Sequence, residues 1–180
     1  MYIKTLKIRL TPTPEQEEKM WRHVHASRFI WNYMLALQEE RYHNGEKHLS
    51  HFDMNKLLTP LKKERQYNWL IEVSNSTLQR VCGDLSEAYQ KLFKKTSGHP
   101  KFKSRKKAKL NFPVCNTVGK TYFKDGTVNL QNIGKVKYKS DYNVPQGGEV
   151  KLSNPRVSYV NGKWLLTIGI ECENQAPELS

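Results

Sequence analysis

Residues 2 to 10, YIKTLKIRL, alternate strictly. Leu6, Ile8 and Leu10 fall on one side with Tyr2 and Lys4, while Ile3, Thr5, Lys7 and Arg9 fall on the other. A period of two is that of a half-buried β-strand, here with basic residues on its wet face. One strand cannot shield its own apolar side, so it needs partners elsewhere in the chain. The residues that follow do not supply them, because they read as helix until about residue 96. The partners must come from the far end, which predicts an α+β fold with helices inserted between strand one and the rest of its sheet.

Thr13 can cap the first helix, with Pro14 at its first position and Glu15, Glu17 and Glu18 near the positive end of the dipole. Met20, Val24, Ser27, Trp31, Leu35 and Gln38 then recur at helical spacing, and HNGEKH stops the run at about residue 43. A shorter helix around residues 53 to 65 is strained or split by Pro60, and Trp69 to Val73 form a brief apolar piece. SNST at 74 to 77 offers caps to a helix of about twenty residues bearing Leu78, Val81, Leu85, Ala88 and Leu92. Facing apolar stripes on three helical segments predict a small bundle. Beyond residue 96 the period drops toward two. TYFKDGTVNL and SYVNGKWLLTI place Asp-Gly and Asn-Gly between apolar runs, both hairpin signals, so residues 110 to 172 read as short antiparallel strands.

Thirty basic residues against seventeen acidic ones leave a net charge of +13. Such a chain attracts polyanions, with nucleic acid first and an anionic membrane surface second. No run approaches the ~18 apolar residues of a membrane span, and residues 1 to 15 lack a signal-peptide core. Cys82, Cys115 and Cys172 are widely spaced and form no C-x-x-C, which fits a reducing compartment rather than a disulfide framework. His23 and His25 point to different helix faces and make a poor metal pair. Asp53, Asp84, Asp125 and Asp141 are scattered, whereas metal-dependent phosphodiester cleavage needs converging carboxylates. No phosphate-cradling glycine loop or nucleophile elbow is present.

The densest charge lies between Lys91 and Lys109, with nine basic residues and no acid. A solvated linker is one reading. The other is a phosphate-binding segment centred on Lys101, Lys103, Arg105, Lys106 and Lys107, with Phe102 and Phe112 tying it to the sheet or stacking on bases. Lys135, Lys137 and Lys139 share one face of a presumed strand; they either follow a nucleic-acid backbone or protect a sheet edge. The helix from Asn75 carries Asn75, Gln79, Gly83, Ser86 and Gln90 on one face. Amides there can read adenine edges and Gly83 would admit a close backbone, or the face is simply polar. Arg28 and Asn32, one turn apart, either meet a phosphate or satisfy each other and a nearby carbonyl.

Five pieces occur in a familiar order: KTLKIRLTPTPEQ at 4 to 16, SRFIWNYML at 27 to 35, NWLIEVSNSTLQRVCGDLSEAYQKLF at 68 to 93, PKFKSRKKAKLNFP at 100 to 113, and IGKVKYK with VNGKWLLTIGIE near the end. Together they resemble the amino-terminal half of the TnpB/OrfB transposon-encoded proteins, relatives of the type V CRISPR effectors. The resemblance implies a wedge-like antiparallel β-barrel from residues 1 to 12 and 97 to 172, with a helical recognition insertion over residues 13 to 96. It implies structured guide RNA and double-stranded target DNA as partners, no membrane, and a prokaryotic cytoplasmic setting. Asn75 and Gln79 would read a short DNA motif beside the target. Lys7, Arg9, Arg28, the lysine-rich segment and the Lys135–Lys139 row would hold backbone. In the family a RuvC-like nuclease domain follows. Residues 173 to 180 would lead to that domain, which is absent from this sequence, so catalysis and its magnesium are not expected in this chain. The alternatives are a stand-alone basic RNA-binding or membrane-surface interaction protein, and a nuclease complete within these residues.

Overall fold

A computed structural model of the chain describes residues 2–148 and 151–172. The expected tail at 173 to 180 lies outside them. The chain divides into two compact units, one made of residues 1–21 and 110–180, the other of residues 22–109.

The first unit is a curled, seven-stranded antiparallel half-barrel. β1 (Tyr2–Thr11) pairs with β7 (Lys163–Cys172) along its length and with β5 (Gly134–Lys139) only at Arg9 to Thr11. β2 (Asn111–Pro113) and β6 (Leu152–Val160) extend the sheet on the β7 side, while β4 (Thr127–Leu130) and β3 (Phe123–Lys124) extend it beyond β5. The amino-terminal strand is therefore central, and its partners come from the far end of the chain. Leu6, Ile8 and Leu10 are buried and Thr5, Lys7 and Arg9 exposed, as the alternation requires. Both hairpin turns form where expected: Asp125 and Gly126, and Asn161 and Gly162, all have positive φ, the geometry of a type I′ turn.

The same unit contains the start of α1 (Pro14–His43). Thr13 Oγ1 accepts the Gln16 N–H and the Gln16 side chain accepts the Thr13 N–H, a reciprocal cap. Gln16 also donates to the Lys135 carbonyl at 2.8 Å, and the Trp164 indole donates to Glu17 at 3.1 Å. The Trp21 ring meets Tyr159 and Trp164 edge-on at 4.8 and 4.9 Å. These contacts seat the first turns of the helix on the sheet.

The second unit packs the rest of α1 with α2 (His51–Lys63), a 3₁₀ helix at Arg65–Glu72 and α3 (Asn75–Phe93). Ile30, Met34, Leu35, Met54, Leu58, Leu70, Leu78 and Leu85 are fully buried and form its core. α2 starts two residues earlier than the sequence suggests, at a capping box between Ser50 and Asp53. Pro60 sits inside α2 without ending it. The apolar piece after it is the 3₁₀ turn. Ser74 makes no side-chain cap on α3.

Candidate nucleic-acid interface

In the first unit, β1 and β5 bring basic residues together. Arg9 and Lys139 are opposite each other in the ladder, both exposed. Like charges in directly opposed positions destabilise a sheet, so a bound anion would relieve what the fold leaves unfavourable. Lys135 and Lys137 continue the row on the wet face, while Val136 is fully buried beneath and Tyr138 is half-buried. Lys7 lies further along β1, opposite Thr167.

In the second unit the lysine-rich segment is clasped to α1. The Trp31 indole Nε1 donates to the Lys101 carbonyl at 2.9 Å. The Asn32 amide makes two bonds to Lys103, donating to its carbonyl at 2.9 Å and accepting its N–H at 2.8 Å. The Lys103 ammonium stands 4.1 Å above the Trp31 ring, a cation–π contact. Ser104 then opens a turn, its hydroxyl accepting the Lys107 N–H at 3.1 Å and its carbonyl the Ala108 N–H at 2.9 Å. Arg105, Lys106 and Lys107 project from that turn, all exposed.

Asn32 is thus a backbone clasp: of the two readings the sequence left open, its bond to a carbonyl is the part that the structure shows. The His25 imidazole is held below its ordinary value by burial first, then by the positive charges of Arg28 and Arg105. Phe112 is 1 % exposed in β2 of the sheet unit, whereas Phe102 is 59 % exposed and is not a buried anchor. The backbone on either side of Phe102 is bonded to Trp31 and Asn32, so the ring is not needed as an anchor.

The third cluster lies where α2 meets α3. Asn75 and Gln79 are both exposed. Lys62 Nζ donates to Asn75 Oδ1 at 2.7 Å, and burial holds the Lys62 amine below its usual value. That bond uses one of the two lone pairs on the Asn75 amide oxygen. The Gln79 backbone carbonyl lies 3.0 Å from His51 Nε2. Gly83 does not admit a nucleic-acid backbone: it is buried, and a Cβ there would stand 3.1 Å from the His51 ring. The protein itself fills the gap that the glycine creates. Lys62 and His51 carried no sequence signal for this cluster, because both reach it from α2.

Three of the four scattered aspartates have places in the fold. Asp53 serves the capping box, whose hydrogen bonds hold its carboxyl below the usual range. Asp84 pairs with Arg80 at 3.1 Å, and Asp125 occupies a hairpin turn. Among the described residues, no group of three or more His, Cys, Asp or Glu side chains could hold a metal ion, and no helix is long and apolar enough to cross a membrane.

Residues 1–47 match the helix-turn-helix domain of the OrfB/IS605 proteins. The chain is also 30 % identical over 176 residues to the "Putative RNA-guided DNA endonuclease InsQ" of Escherichia coli K12, covering 97 % of this chain and 42 % of that protein. Over nearly its whole length the chain is homologous to this TnpB/OrfB-type protein. The "Putative RNA-guided DNA endonuclease" of Streptomyces pristinaespiralis is 25 % identical over 169 residues, 92 % of this chain and 40 % of its own length. The chain therefore spans about two-fifths of the length of these two relatives. Virulence protein VsdF of Salmonella dublin is 31 % identical over 110 residues, covering 57 % of this chain and 88 % of VsdF. Within the region matched to the family's helix-turn-helix domain, the described fold is strand β1 and one unbroken helix, α1.

Proposed function

We propose that this chain is the nucleic-acid-binding lobe of an RNA-guided DNA endonuclease, and that it holds guide RNA and target DNA without cutting either. Under this reading residues 1 to 12 and 97 to 172 make the wedge barrel and 13 to 96 the inserted recognition helices. The observation that carries it is the clasped segment, in which charge is held on a fixed backbone by Trp31 and Asn32 rather than left on a loose linker. Pre-ordered phosphate contacts lose less entropy on binding. Arg28 joins that patch, and Lys7, Arg9, Lys135, Lys137 and Lys139 give the sheet unit its own backbone-binding row.

Base pairing with a guide supplies most specificity in such systems, so the protein needs charge and shape more than base contacts. Asn75, whose oxygen also accepts a bond from Lys62, and Gln79 are the candidates for the DNA motif. Magnesium belongs to the nuclease chemistry of a RuvC-like domain and is assigned no residue in this chain; the cytoplasm is the compartment where its partners meet.

The test is the salt dependence of RNA binding. Replacing Lys101, Lys103, Arg105, Lys106 and Lys107 together with Gln should weaken binding. It should also flatten the slope of log K against log salt by roughly 0.7 to 0.9 for each phosphate that is no longer neutralised. An unchanged slope removes the segment from the interface. Gln79→Ala should abolish preference for the DNA motif at little cost in stability. Retention on anionic vesicles with no affinity for RNA at moderate salt would favour the membrane-surface alternative.

A further inference from the structure

We propose that Phe102 is a stacking platform for an unpaired nucleobase, an inference that rests on the nucleic-acid reading above. Its ring is 59 % exposed, although an aromatic on a free loop could fold inward and bury itself. The clasp prevents that. Lys101 is bonded to Trp31 on one side and Lys103 twice to Asn32 on the other, so the backbone at Phe102 is fixed and the ring stays in solvent. Stacking onto such a pre-placed ring costs little ordering entropy.

The chemistry around the ring selects the ligand. Lys101, Lys103, Arg105, Lys106 and Lys107 lie within five residues of Phe102, and no acid lies between Lys91 and Lys109. A partner must therefore offer a flat apolar face and closely spaced negative charge together, which a nucleotide strand does. Within a duplex both faces of each base are already covered, so the ring selects unpaired positions in loops, ends or single strands. Every base has such a face, so the contact tolerates any sequence. The lysines and the ring contribute separably: ionic contacts release counterions and depend on salt, whereas stacking does not change the number of phosphates neutralised.

Binding of a single-stranded RNA oligonucleotide, titrated at several salt concentrations, tests this. Phe102→Ala should weaken binding roughly tenfold or more, with an unchanged salt slope and an unchanged melting temperature. Phe102→Trp and Phe102→Tyr should keep the affinity, and Phe102→Leu should not. On a strand with the same number of phosphates but abasic sites in place of bases, wild type and Phe102→Ala should bind alike. Equal affinity of Phe102→Ala for the normal strand overturns the proposal, as does the same loss on the abasic strand or on a fully paired duplex. Failure of the wild-type chain to bind any oligonucleotide in dilute buffer would instead sink the nucleic-acid reading itself.

Discussion

His23 Nε2 accepts the backbone N–H of Ser74 at 3.1 Å, with both residues almost completely buried. Ser74 is the residue before α3, where helix N–H groups have no partner within the helix. Its own side chain does not cap the helix. An imidazole on α1 thus helps fix the point where α3 begins, and with it the direction of Asn75 and Gln79. His23→Leu keeps most of the volume but leaves a buried donor unsatisfied. Thermal or urea unfolding should show a loss of about 1–3 kcal/mol, and His23→Gln, which restores an acceptor, should recover part of it.

Gly169 on β7 faces the opposite constraint, one of space. A Cβ there would stand 2.8 Å from Ile3 Cγ2, 3.0 Å from Ser153 Cβ and 3.2 Å from the Ser153 carbonyl oxygen. Two flanking strands close over it, so Gly169→Ala forces them apart. The expected cost is about 1–3 kcal/mol of stability in the sheet unit. Ile3 is 57 % exposed, so Ile3→Ala should cost little alone yet return part of the loss in the double variant. A double-mutant cycle by urea unfolding would reveal that coupling.

What the sequence made legible was local or periodic. The alternation of β1, the stripe on α1 and the two Gly turns are encoded within a few residues, so their elements follow directly. The central place of β1 was also readable, since one strand needs partners and only the far end of the chain offered them. The bonds that shape the candidate site are different in kind. Asn32 meets Lys103 across 71 positions and His23 meets Ser74 across 51, and no pattern in either segment announces the other. Gly83 illustrates the limit: its small size was visible, but the ring that uses the space belongs to another helix.

Asn32 offers a direct test of the clasp. Its amide makes both bonds to the Lys103 backbone, so Asn32→Ala removes them together. The helical core should stay intact, because Asn32 lies outside the set of buried residues that form it. The released segment should then become a substrate for trypsin, which needs an extended, mobile backbone on the carboxyl side of Lys101, Lys103 or Arg105. Limited proteolysis followed by mass measurement should show earlier cleavage there than in the wild type. Equal cleavage rates would mean that the segment is held by other contacts.

Acid should weaken the helical unit through its histidines. The His48 imidazole is half-buried against Tyr89 and Phe93, at ring distances of 4.7 and 5.3 Å. Burial first and Arg41 second hold it below its ordinary value of 6.5, and His25 is lowered by burial, Arg28 and Arg105. A group with a depressed folded value resists a proton that the unfolded chain accepts. Stability is therefore complete above about 6.5 and falls as pH drops from there through the lowered folded values. His25 is exposed and contributes less, because solvent screens its repulsion. Urea midpoints measured at about pH 7.5 and pH 5.5 should differ, with the lower value in acid, and His48→Gln should narrow the gap more than His25→Gln. A gap unchanged in both variants would place the acid sensitivity in groups other than these two rings.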